Sequence, residues 1–153
     1  RFTLITGCTP RDRIIYNRNR MANNKTKKRT PLRVPVTRGL KDIYAMDMRT
    51  AYQAARLGQF SVMTFGRLAA ALSVVRSALE EHQTTLPLAI ETLDAAIETL
   101  LVVRKKGDET QVWEITASEL PSVLSGIEMA EECIGTLDVA LLAQTAVKLL
   151  ESV

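Results

Sequence analysis

From Leu40 onward, apolar residues recur at intervals of three and four, the spacing of one helix face, and polar breaks divide the pattern into segments. The first predicted helix covers 40–57, with Ile43, Tyr44, Met46, Met48, Tyr52 and Ala55 on its apolar side and Gly58 just past its end. The second covers 61–82 and carries the cleanest seam, Phe65, Leu68, Leu72, Val75 and Leu79. Beside it, Ala69, Ala70 and Ala71 favour helix and permit another helix to come close, while Gly66 weakens the first turn. A third helix starts near Pro87, which its first turn tolerates, with Leu86, Ile90, Leu93, Ile97, Leu100 and Leu101 on one side. Arg104, Lys105 and Lys106 are expected to crowd its last turn, where cations complement the negative helix end, and Gly107 is the predicted stop.

Residues 107–115 break the period and read as a short extended crossover in which Val112, Trp113 and Ile115 can touch the core. Thr116 and Glu119 have the spacing of a capping box, with Ile115 and Leu120 as its hydrophobic staple; Ser118 is the alternative cap, since it places Pro121 in the first turn. The fourth helix carries Leu120, Val123, Leu124, Ile127, Ala130 and Ile134 and stops at Gly135. A fifth begins near Thr136 or Asp138 and carries Val139, Leu142, Ala146, Leu149 and Val153. The expected fold is all-α: a small four- to five-helix bundle over 40–153 behind a disordered basic N-terminal arm.

Charge divides the chain at the same boundary. Residues 1–41 hold 12 Lys/Arg against the single acid Asp12, and 42–153 hold 8 Lys/Arg against 16 acids, so a +11 segment precedes a −8 body within a net charge of +3. Residues 21–39 read as an extended arm, since Pro31 and Pro35 block helix and apolar residues are few. Lys25, Lys27, Lys28, Arg29, Arg33, Arg38 and Lys41 are the candidate nucleic-acid contacts; with no aromatic among them, binding there is electrostatic and salt-sensitive. Met21 resembles a start site, so 1–20 is expected to be an upstream read-through segment outside the fold. Leu4 to Cys8 resembles a lipobox, but only seven residues precede Cys8, too few for the apolar stretch that lipidation needs.

Candidate chemistry narrows the function classes further. Cys8 and Cys133 are far apart in sequence and His82 is the one histidine, so neither a disulfide framework nor a local zinc site is expected, and both thiols read as reduced in a cytoplasmic protein. No uninterrupted apolar run reaches a membrane span, and no membrane partner is expected. A nucleophile elbow and a phosphate-cradling loop are both absent, and His82 lacks a supporting triad, so the chain is expected not to be an enzyme and to need no cofactor or metal. A helix-turn-helix reader made from the last two helices fails on charge, because Glu128, Glu131, Glu132 and Asp138 repel phosphate.

The run Val112-Trp113-Glu114-Ile115-Thr116-Ala117-Ser118-Glu119-Leu120, followed by an apolar-periodic helix, resembles the C-terminal half of short proteins from proteobacterial phages, prophages and plasmids, some labelled Fis-type regulators. That resemblance covers the last third of the chain and implies a mobile-element accessory protein without catalytic residues. The expected role is binding a protein partner, through Glu128, Glu131 and Glu132 as a solvated acidic face and Trp113 as either an interface anchor or a core plug. Carboxylates on such a face can occupy a site that otherwise holds phosphates, so inhibition of a host nucleic-acid-handling or defence complex is the leading expectation. The alternatives are a nucleic-acid-binding regulator using the basic arm and an assembly component that self-associates, as a homodimer or more, through its helical seams.

Overall fold

The computed structural model describes residues 34–82 and 86–151, all within one compact unit. Five helices follow one another: α1 (Arg38–Arg56), α2 (Val62–Glu81), α3 (Pro87–Thr110), α4 (Leu120–Ile134) and α5 (Val139–Glu151). Among the described residues no strand forms, and Pro35 and Asp138 make one isolated antiparallel bridge. The all-α bundle expected from the periodicity is the architecture that forms.

Local chemistry starts most of these helices. Thr37 caps α1 by accepting the Leu40 amide, and Ser61 and Thr64 form a reciprocal capping box on α2. Pro87 begins α3 at a position where a missing N–H is harmless. Glu119, not Thr116 or Ser118, stands at the cap position of α4, and its own side chain makes no cap bond there. Only half of the expected box survives: the Glu119 carboxylate accepts the Thr116 amide at 2.8 Å, and the turn ahead of the helix closes on the Thr116 carbonyl.

The core is α2. Its seam residues Leu68, Leu72, Val75 and Leu79 are buried, and the helix packs against all four others. Each fully buried Leu contributes roughly 1.5–3 kcal/mol by leaving water. Opposite them stand Met48 and Ala51 from α1, Leu93, Ala96 and Leu100 from α3, and Val123 and Ile127 from α4. By length and composition α2 is the one helix among the described residues apolar enough to cross a membrane, and 44% of that stretch is buried inside the bundle.

Two boundaries differ from expectation. Gly107 does not stop α3, which continues to Thr110 and ends with Gln111 in the left-handed region at φ 60°. The cause is packing: a methyl group at Gly107 would lie 2.7 Å from the Trp113 ring, so the glycine makes room for an indole instead of ending a helix. Arg104, Lys105 and Lys106 therefore lie more than a turn inside α3, and its last turn holds no cation. The basic arm also ends earlier than residue 39. Val36 donates its amide to the Leu137 carbonyl, Val139 donates to the Val34 carbonyl, and the Val34 amide reaches Asp138, so 34–36 is pinned to the α4–α5 turn.

Candidate functional site

Two surfaces concentrate features that a packed bundle does not require, and the first is the acidic one expected on α4. Glu128, Glu131 and Glu132 face Lys41, Asp42 and Arg49 of α1 across a shallow polar trough. They do not form a uniform solvated face. Glu131 takes both its oxygens to Arg49, at 2.8 Å from Nε and from Nη2, and retains 21% side-chain exposure. That fork ties α1 to α4, and hydrogen bonding to Glu131 pushes the Arg49 guanidinium further toward its charged form. Glu128 and Glu132 stay exposed. The expectation of three equivalent solvent-facing carboxylates is thus corrected, because an arginine 82 positions earlier in the chain claims the middle one.

The same trough redirects part of the basic set. Lys41 lines it opposite the acids, and Arg38 lies in the first turn of α1, 3.9 Å from Asp42. Lys25, Lys27, Lys28, Arg29 and Arg33 lie outside the described residues, as does Cys8. Cys133 is buried and free; burial first, and the charge of Glu132 second, push its thiol up. His82 caps the C-terminal end of α2.

Trp113 is partly buried against the core, over Gly107 and tilted against Phe65 with ring centroids 5.0 Å apart. Nearby, Lys106 binds Glu119 at 2.9 Å. Burial pushes the Glu119 carboxyl up, but the Lys106 ammonium and the Thr116 amide outweigh it and hold it below the ordinary carboxylate range. On the neighbouring face Arg76 of α2 holds Asp94 of α3 and reaches Glu80. Four of the acids, Glu81, Asp94, Glu119 and Glu131, therefore serve to join one helix to another. Among the described residues no group of three His, Cys, Asp or Glu side chains comes together to hold a metal ion.

The second surface lies on α2, and only its alanines signalled it in the sequence. Although α1, α3 and α5 all pack on α2, no two of these three helices bring their backbones together. Their separation leaves a groove of about 650 Å³. Gly66, Ala69, Ala70 and Ser73 form its floor, Ile43, Tyr44 and Asp47 of α1 one wall, and Ala146, Leu149 and Leu150 of α5 another. Arg67 and Arg104 also line it. Ile43 is 60% exposed and Leu150 78% exposed, so the rim offers water large apolar side chains that the bundle does not cover. Period alone placed Ile43 on the core side of the first helix; it faces the groove instead. Compared with known family models, curated proteins and solved structures, the chain matches none.

Proposed function

We propose that this protein works by binding a protein partner, which it receives on the face of α2 that no other described element covers. The observation that carries this reading is the apolar groove itself, rimmed by Ile43 and Leu150 and bounded by three helices whose backbones stay apart. A helix that is apolar on most sides is ordinarily enclosed, and α2, which packs on all four other helices, is left open along this groove. The Val112–Leu120 resemblance adds an origin on a phage, prophage or plasmid, and with it the role of an accessory factor that inhibits a host nucleic-acid-handling or defence complex. A free buried thiol at Cys133 suits a reducing cytoplasm. Glu128 and Glu132, exposed on α4, supply a secondary acidic contact.

Site-specific photocrosslinking in the native host tests the reading. A photoreactive residue replacing Ala70 is expected to trap a discrete protein adduct, while the same residue replacing the exposed Glu98 on α3 traps little. Equal trapping from both positions, or from neither, refutes it.

A further inference from the structure

We propose that the α2 groove seats one amphipathic helix of the partner and holds an acidic side chain of that helix at Arg67 and Arg104. This rests on the reading of the α2 face as the binding face and adds the chemistry of the occupant.

Shape argues for a helix. From Gly66 to Val74 the floor runs about 12 Å at 1.5 Å per residue, which matches anchors at i, i+4 and i+7 of a docked helix. Small floor residues let a second backbone come close, as at any tight helix crossing. A methyl group at Gly66 would meet nothing within 4 Å, although an exposed helical glycine costs up to about 1 kcal/mol relative to alanine. No other atom of the described chain uses the space this glycine leaves. The groove is also open on its outer side. A slender acyl chain would remain wetted there, whereas an amphipathic helix brings its own polar face for that side. A second copy of the chain fits poorly, because two-fold pairing would set one concave face against another.

Charge selects the sign. The described residues contain 16 acids against 10 Lys/Arg, yet the groove carries two arginines against the single acid Asp47. Arg67 is exposed and has no ion pair among the described residues. Arg104 has only Asp108, at 3.6 Å, with both side chains more than half exposed. A basic helix would be drawn to the carboxylates elsewhere on this body, while an acidic one is steered to the groove.

The test uses the full chain as bait for a displayed library of helical peptides about 18 residues long, roughly five turns, with leucines fixed at anchor spacing and the remaining positions randomised. Enriched peptides are expected to carry Asp or Glu at a constant offset from the leucines. Their affinity should fall at least about tenfold with Ala70→Trp and, independently, with Gly66→Leu, both of which fill the floor from positions open to solvent. Arg67→Glu should weaken the acidic peptides about as much, and exchanging the peptide acid for lysine should restore binding to that variant. Circular dichroism checks that each variant folds. Peptides lost on filling the floor but indifferent to Arg67→Glu would overturn the acidic-helix inference and leave the binding face standing. Absence of any peptide sensitive to the floor variants would overturn both. Dansyl-undecanoate bound in place of peptides and released by Ala70→Trp would assign the groove to an acyl ligand, and a dimer in sedimentation velocity that Ala70→Trp dissociates would assign it to a second copy; either overturns the inference.

Discussion

The seam between α3 and α4 and the outer face of α2 both use small residues, and they use them in opposite ways. At the seam, Gly126 lies against Ala96 so closely that a methyl group on the glycine would collide with the Ala96 Cβ, and Gly107 gives its space to Trp113. On α2, Gly66 and Ala70 leave space that no other described part of the chain enters. A small residue thus has no fixed meaning in a helix. Its meaning depends on whether a neighbour fills the gap, and that neighbour is often distant in sequence or on another molecule.

The contrast is most easily broken at Gly126. Gly126→Leu should destabilise the protein by about 3 kcal/mol, because the α3–α4 crossing has no room to relax without separating the helices. Urea unfolding reads this as a lower midpoint, and a near-neutral result would mean the seam is looser than its contacts imply. Gly107→Ala comes next. Its added methyl group must displace the indole, at roughly 1–2 kcal/mol, with a red shift of Trp113 fluorescence as the ring loses its seat. At the open face the sign reverses: Gly66→Ala should raise stability by up to about 1 kcal/mol, since helix propensity improves and nothing is displaced. A loss there would show that the groove floor is not free.

The smallest effect separates the three acidic residues of α4. Glu131→Gln weakens the fork to Arg49 and should lower stability by about 0.5–1 kcal/mol, an effect that shrinks in added salt. Glu128→Gln and Glu132→Gln should each stay within about 0.5 kcal/mol of the parent, as exposed side chains with no ion pair among the described residues. Thermal melts of the three single variants at low and high ionic strength check the split; equal losses would return the trio to one shared role.

Much of this fold was legible because burial on a helix leaves a period. The α2 seam and the alternation in α4 placed those helices, and Pro87 marked the start of α3. What was missed depended on partners far away in sequence. Gly107 reads as a terminator unless Trp113 is known to sit on it, and Glu131 is indistinguishable from Glu128 until Arg49 is brought across. Val34 to Val36, beside Pro35, resemble an unpaired arm, because a two-residue backbone clasp has no side-chain signature. At the groove, Ala69 to Ala71 suggested room for a helix to approach, but periodicity cannot say that Ala71 is buried while Ala70 is left exposed. Ile43 and Leu101 show the same limit, being apolar, in phase and exposed.

Asp138 has a consequence for the order in which the molecule assembles. One carboxylate oxygen accepts the Val34 amide, 104 positions away, and the other accepts the Ala140 amide at the start of α5. A single side chain therefore serves a distant closure and a local helix start together. The hairpins α2–α3 and α3–α4 join near neighbours, whereas the closure at Asp138 must overcome the entropy of the whole intervening loop. It is expected among the last events of folding and the first of unfolding. In pulse-labelled hydrogen exchange, the Val36 and Val139 amides should gain protection after those of α3 and α4, so the clasp acts as a latch that closes on a bundle already built.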